Sequence, residues 1–414
     1  MTFIASLTEN GYWLFATRMV RMFAYGLVSV VLALYLAAAG LTENQIGFLI
    51  TFTLIGDTAI ALWLTSRADR AGRRKTLQVS AGLMILAGGV LALTQNYWLA
   101  LAAATLGVLS PSGNEVGAFL PVEQAALTQT ISDEQRTSAL AWYQLAGSLA
   151  TALGALAGGG LAQVLQNTGT VPLESYRVVL AAYAGLGALL LLMFTRLTKN
   201  IEPPSSPALL PAREKGALGL HRSRNMVFKL AALFSLDAFG GALVVQSFFA
   251  YWFHVRYGVE PAGLGGIFFG ANLLGGLSAL AAASLAKRIG LINTMVFTHL
   301  PSNVLLMLVP LMPTLPLAVL VLLVRYSISQ MDVPTRQSYT LAVVEPDERS
   351  AASGVTSVAR TVGASFAPTL TGALLANPAL ASVPFFLAGA LKIIYDLALW
   401  QSFRALKPPE ELGS

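Results

Sequence analysis

Apolar runs, each of about 20 residues, the length needed to cross a bilayer core as a helix, recur along the whole chain and constrain its fold more tightly than any other feature. Twelve can be drawn, over 12–38, 43–65, 76–94, 98–128, 138–165, 177–196, 226–254, 261–284, 291–311, 314–342, 352–376 and 382–403. In lipid every backbone N–H and C=O must be satisfied without water, which leaves helices or closed barrels. Barrel strands would alternate apolar and polar residues over segments of roughly 10 residues. These runs do not alternate, so helices are expected. Only 11% of the residues are charged, against roughly 25% in a soluble domain. So few charges suit a lipid-facing surface. The expected fold is all-α and integral to the membrane, with twelve transmembrane helices.

Sidedness follows from Lys and Arg in the short loops. Loop 66–75 holds Arg67, Arg70, Arg73, Arg74 and Lys75, and loop 285–290 holds Lys287 and Arg288. The stretch between runs six and seven holds Lys199, Arg213, Lys215, Arg222 and Arg224, whereas the opposite loops hold little beyond Arg177 and Arg256. Both termini are therefore expected in the cytoplasm, in a multi-pass protein of the cytoplasmic (inner or plasma) membrane. Trp13, Trp63, Trp98, Trp252 and Trp400 fall near run ends, where interface anchors belong. The first residues lack a basic region followed by a cleavable apolar core, so no removable signal peptide is expected. The net charge of +6 is read through loop positions. The basic residues form no aromatic-interleaved face, and no nucleic-acid partner is expected.

Residues 197–225 are the only long polar segment, and Glu202-Pro203-Pro204-Ser205-Ser206-Pro207 reads as an extended linker. It divides the chain into a six-helix bundle over 1–196, a cytoplasmic linker over 197–225 and a second bundle over 226–414. The halves repeat. Arg70-Ala71-Gly72 lies 218 residues before Arg288-Ile289-Gly290, and Gly40 and Gly47 lie 218 before Gly258 and Gly265. Pro121-Val122-Glu123-Gln124 lies 213 before Pro334-Thr335-Arg336-Gln337, and Arg136 lies 213 before Arg349. Two pseudo-symmetric six-helix bundles are a known transporter architecture.

Asp69-Arg70-Ala71-Gly72-Arg73-Arg74 follows the second run. It resembles the loop motif of the major facilitator superfamily, and helix count, central loop and repeat extend the resemblance over the whole chain. Thr65 departs from it, standing where the family usually has glycine. The resemblance implies a cytoplasmic latch in which Asp69, Arg70 and Arg73 act as gate residues, Asp69 capping a helix N-terminus or pairing with Arg73. Ordinary positive-inside charge is the alternative. Gly147, Gly154, Gly158, Gly159 and Gly160 partly match the family's antiporter motif but lack its Gly-Pro pair. Tight helix packing is their expected role.

Charges inside the runs are costly in lipid and usually face a cavity or a partner. Run four contains Ser110-Pro111-Ser112-Gly113-Asn114-Glu115, a sequence that should interrupt the helix. Glu115 and Asp237 are the candidates for proton coupling, although Glu115 could equally be a structural carboxylate tied to an arginine. Tyr25, Ser112, Asn114, Glu115, Gln246, Arg325 and Ser329 are the candidate substrate contacts. Arg325, Ser329, Asp332 and Arg336 share one stripe of run ten. Glu123 and Arg336 occupy equivalent repeat positions with opposite charge, which suggests a gate pair; each could instead be satisfied within its own half. Arg18, Arg21, Asp57 and Arg360 fit a gate network or a substrate site. Lys392 and Asp396, four apart, are expected to pair. His299 reads as a packing or hydrogen-bonding residue.

With no cysteine and three histidines, neither a metal site nor a disulfide is expected. There is no phosphate-binding Gly-x-x-x-x-Gly-Lys-[Ser/Thr] loop. The chain is expected to be no enzyme, to need no cofactor and to act as a monomer on a small-molecule substrate and protons in the lipid bilayer. Proton-coupled export of a small organic compound is the leading expectation. Uptake of an organic anion by symport, with Arg18, Arg21 and Arg325 holding the anion, and a non-transporting receptor or lipid scramblase are the alternatives.

Overall fold

The computed structural model describes residues 8–129, 131, 133–203, 220–345, 348–404 and 406, with the side chains of 133–138 and 350 excepted. Most of the linker and the Arg136 side chain therefore lie outside the described residues. Fifteen α-helices occur among those described, with no strands. They are α1 (Glu9–Ala38), α2 (Glu43–Ala71), α3 (Arg73–Leu93), α4 (Tyr97–Leu106), α5 (Phe119–Gln129), α6 (Asp133–Asn167), α7 (Pro172–Phe194), α8 (Arg224–Ala242), α9 (Gln246–Tyr257), α10 (Pro261–Ile289), α11 (Leu291–Leu308), α12 (Leu315–Ser329), α13 (Asp332–Ala342), α14 (Arg349–Leu375) and α15 (Val383–Phe403). Among the described residues, ten segments are long and apolar enough to cross a membrane, two of them counted across the α8–α9 and α12–α13 joints.

Fifteen helices cover the twelve expected runs because runs four, seven and ten are broken. The break in run four was expected; α4 stops at Leu106 and α5 begins at Phe119. Pro111 offers no N–H there, and Gly113 and Gly117 take φ values of +73° and +77°, which favour glycine. The breaks at 243–245 and 330–331 correct the single helices expected for runs seven and ten. No proline marks the first. Pro334, in the first turn of α13, lacks the N–H that would bond the Gln330 carbonyl and so marks the second. Both breaks lie inside apolar runs, and a hydrophobicity reading passes over them.

The chain forms two compact units: Met1–Ser205 with Val245–Leu273, and Ser206–Val244 with Leu274–Ser414. In the first, α1 packs on α6, α7 and α9, α3 on α7, and α2 on α4. Gly154 and Gly158 of α6 lie where an added Cβ would meet the Phe23 and Leu27 carbonyls at 2.0 and 2.2 Å. These glycines thus let α6 approach α1 at backbone distance. In the second unit α8 packs on α14 and α15, and α11 on α12, α13 and α15. Phe234, Met295, Val296, Tyr339, Tyr395 and Leu399 form its buried apolar core. Trp252 corrects the interface expectation: it is only 3% exposed and packs edge-on against Phe253 and Tyr257.

Candidate functional site

In the first unit, α1 supplies Thr17, Arg18, Arg21 and Tyr25 at steps of one, three and four residues. Arg18 and Arg21 are fully buried. Arg18 donates to Glu115, to the Gln144 side chain at 2.8 Å and to the Tyr143 carbonyl at 2.7 Å. Arg21 donates to Glu123 at 2.6 Å and to Glu115 at 3.2 Å. Glu123 also accepts from the Tyr143 and Thr17 hydroxyls. The guanidinium of Arg18 lies 4.4 Å from the Tyr143 ring centre, and that of Arg21 lies 4.7 Å from the Phe119 ring centre. Two arginines thus face two glutamates, and the group is charge-balanced. Gly147 makes room for it, since a Cβ there would lie 2.7 Å from Arg18 Nε.

Glu115 stands in the broken stretch with its side chain 17% exposed. Its Oε1 is shared by both arginines, while its buried Oε2 and Arg21 Nε have no hydrogen-bond partner among the described residues. Asp57 of α2 accepts from the Gly117 N–H at 2.7 Å. Tyr25 donates to the Val116 carbonyl at 3.3 Å. Ser112 accepts from the Asn114 N–H at 3.2 Å, inside the break.

The start of α9 adds a polar chain to this unit. Gln246 donates to Ser29 Oγ at 2.8 Å and accepts from Asn272 at 3.2 Å. The Ser247 N–H, an unpaired donor of the first turn of α9, bonds the Pro111 carbonyl at 3.1 Å. The breaks of runs four and seven are therefore joined by a backbone hydrogen bond. Ser29 and Asn272 were missed by sequence reasoning; neither carries a charge nor belongs to a motif.

At the α2–α3 loop, Asp69 pairs with Arg73 at 2.9 Å. The N-terminus of α3 is held by another residue, Glu202, which accepts from the Arg73 N–H at 2.6 Å and the Arg74 N–H at 3.1 Å. A carboxylate there opposes the positive end of the helix dipole. Arg73 also donates to the Ile201 carbonyl at 3.1 Å, and Arg70 is exposed. Thr65, in place of glycine, bonds its hydroxyl to the Ala61 carbonyl at 2.7 Å. In the second unit Glu348 has a similar task ahead of α8. Burial pushes its carboxyl up, but the Ser223 hydroxyl and the backbone N–H groups of His221, Ser223 and Arg222 outweigh burial and hold it down to about 2.

The second unit also holds a buried charged cluster. Asp237 of α8 accepts from Lys392 at 2.6 Å and from Arg336 and Arg360 at 3.2 Å each. Asp332 binds Arg336 at 2.8 Å. Asp396 bonds His299 Nδ1 at 2.8 Å and accepts from Asn303 at 2.9 Å. The expected Lys392–Asp396 pair is therefore corrected. Lys392 reaches across to Asp237 on α8, and Asp396 is occupied by α11. His299 bridges the two groups, its Nε2 lying 3.5 Å from Lys392 Nζ. Glu123 and Arg336 are each satisfied within their own unit.

Arg325 is different. It is 9% exposed and lies 5.0 Å from the Tyr326 ring centre. Its Nε and Ser329 Oγ, one turn on, are buried without a hydrogen-bond partner among the described residues.

A bundle of broken helices around buried, balanced charges is the architecture of a membrane transporter. The sequence profile of the Major Facilitator Superfamily matches residues 14–368, and the chain belongs to that family. It is 27% identical over 413 residues to an uncharacterized membrane protein of Saccharomyces cerevisiae, covering 93% of this chain and 92% of that one. Among solved structures it resembles a bacterial homologue of the human lysosomal transporter Spinster in an inward-facing, unoccupied conformation, with a TM-score of 0.71 and 15% identity over 95% of this chain and 94% of that one. It also resembles a D-xylose–proton symporter, with a TM-score of 0.73 and 15% identity over 94% and 97%. The nucleoside transporter NupG gives 0.72 and 13% over 96% and 100%. These structures share the twelve-helix fold.

Proposed function

We propose that this transporter is proton-coupled, works by alternating access and exports a small polar organic compound in exchange for protons. Residues 1–196 and 226–414 are its two six-helix bundles, 197–225 is the cytoplasmic linker, and both termini are cytoplasmic. The observation that carries the reading is Glu115, a carboxylate in a broken intramembrane helix with one oxygen on two arginines and the other unpartnered. Such a group can hold either a proton or a donor group of the substrate, and competition between the two is the chemistry of exchange. Tyr25, Ser112, Asn114 and Gln246 supply hydrogen bonds suited to a polar compound. The similar D-xylose–proton symporter supports the proton as coupling ion. Asp237 is the second coupling group, since protonating it would loosen three cations at once.

One observation favours a second reading, uptake of an organic anion. Arg325 is a buried guanidinium with no acidic partner among the described residues, and it can hold a carboxylate or phosphate. Arg18 and Arg21 do not add to this reading, because Glu115 and Glu123 already occupy them.

A thermal-shift panel of organic cations, neutral polyols and nucleosides, and carboxylates and phosphates separates the two, because a ligand of the native state raises its apparent stability. Export predicts stabilising compounds among the cations and neutral polar compounds, with the shift lost in Glu115→Gln. Stabilisation by anions alone, lost in Arg325→Ala, would establish the second reading instead.

A further inference from the structure

Three carboxylates inside the first unit, Glu123 and Asp57 buried and Glu115 partly so, have different surroundings. Glu115 and Glu123 divide two arginines between them. Asp57 has none: it is 8% exposed and accepts one hydrogen bond, from the Gly117 N–H at 2.7 Å.

The ionisable groups around Asp57 are all engaged elsewhere. On α1, Arg21 is held by Glu123 and Glu115, and the Tyr25 hydroxyl donates to the Val116 carbonyl. On α7, the Tyr183 hydroxyl donates to the Val108 carbonyl at 2.8 Å. On α5 the one ionisable side chain, Glu123, is bound to Arg21 and Tyr143. The basic residues of α3 sit in its first turn, and α4 carries only Tyr97, at its start. Among the described residues no lysine, arginine or histidine forms an ion pair with Asp57. An ionised carboxylate so placed has one backbone donor to offset the loss of water, which is a poor exchange.

Asp57 is also a mechanical anchor. Its partner Gly117 lies two residues beyond Glu115, in the stretch between α4 and α5. Gly117 has φ +77°, so this N–H is turned away from any helical ladder. Behind Asp57 the chain cannot yield, because Gly56 packs directly on the α4 backbone: a Cβ there would lie 1.8 Å from the Thr105 carbonyl oxygen.

We infer that Asp57 is a further proton-binding carboxyl of this transporter, beside Glu115 and Asp237, and that its protonation loosens the Gly117 anchor and so frees the segment that carries Glu115 against Arg18 and Arg21. The inference rests on the proton-coupled reading above. One proton passes from water to the carboxylate, and the local charge changes from minus one to zero. The neutral acid accepts a weaker hydrogen bond than the carboxylate. Two proton sites then act on one segment, Glu115 through the arginines and Asp57 through the backbone.

Infrared difference spectroscopy on the reconstituted protein tests this without any substrate, so a protein that moves nothing still gives an answer. Acidification should produce a protonated-carboxyl C=O band in the wild type and in Glu115→Gln, and the band should be missing from Asp57→Asn. Asp57→Glu, which keeps the acid, should shift the band rather than remove it. Hydrogen exchange of peptides covering 107–118, corrected for the intrinsic pH dependence, should rise on acidification in the wild type and rise clearly less in Asp57→Asn, where Glu115 alone is left to act on the segment. A band unchanged in both Asp57→Asn and Asp57→Glu overturns the inference. So does exchange at 107–118 that responds to pH equally with and without Asp57. If the band behaves as expected while no compound is transported, the proton site stands and the transport reading fails.

Discussion

Arg21 and Glu123 meet at 2.6 Å with both side chains fully excluded from solvent. They come from α1 and α5 and are 102 residues apart. Around them Arg18, Glu115, Tyr143 and Gln144 complete a group in which each charge has a counterpart. Removing one member of a buried pair strands the other, and the expected loss is about 3–5 kcal/mol.

Glu123→Gln should therefore lower the thermal unfolding midpoint in detergent by several degrees. Arg21→Met combined with Glu123→Leu should recover most of that loss, because neither charge is then left unpaired. A double variant as unstable as Glu123→Gln would contradict the pairing.

Lys392 sits four residues before Asp396 on α15 yet bonds Asp237 on α8. A double-mutant cycle with Lys392→Met and Asp237→Asn should give a coupling energy toward the upper part of the roughly 0.5–3 kcal/mol range for contacting residues. The cycle of Lys392→Met with Asp396→Asn should give a smaller value. The reverse order would restore the local i, i+4 pair.

Glu348 gives a pH dependence with a fixed sign. Its carboxyl is held at about 2 in the folded protein, below its ordinary value of 4.5. A depressed acid stabilises the fold fully above its unfolded value, and the contribution fades as pH falls toward the folded value. The difference in unfolding midpoint between the wild type and Glu348→Gln should thus be constant above about pH 5 and shrink steadily below it. A difference that grows on acidification would be inconsistent with this capping.

Gly147→Ala should destabilise the protein by about 1–3 kcal/mol, the usual range for overpacking, because the new methyl meets the Arg18 guanidinium. Gly160→Ala, on the same helix with open space around its Cβ position, should be tolerated. Equal midpoints for the two variants would remove Arg18 from its place against α6.

The sequence made the helices legible because lipid enforces a length and a hydrophobicity that few other solvents demand. The break in run four was legible because Pro111 and Gly113 announce it. The break at 330–331 had one mark, Pro334, but a single proline inside an apolar run reads as readily as a kink as an end, and the break at 243–245 carries no proline. Candidate charges were easy to find, because an ionisable residue inside an apolar run stands out. Their partners were harder. Sequence spacing sees i, i+4 neighbours on one helix, and so it paired Lys392 with Asp396 and missed Asp237 as the Lys392 partner. It also passed over Glu202, which lies 129 residues from the Arg73 N–H it accepts. Uncharged contacts such as Ser29 and Asn272 carry no signal in one sequence.

The most direct test of the transport reading is proton movement in proteoliposomes loaded with a pH-sensitive dye. Addition of a stabilising compound from the thermal-shift panel should drive proton flux in the wild type. The flux should be lost in Glu115→Gln, although that variant remains folded. Flux in Glu115→Gln equal to the wild type, or compound movement in the wild type with no proton flux at all, would contradict the assignment of Glu115 as the residue that couples protons to transport.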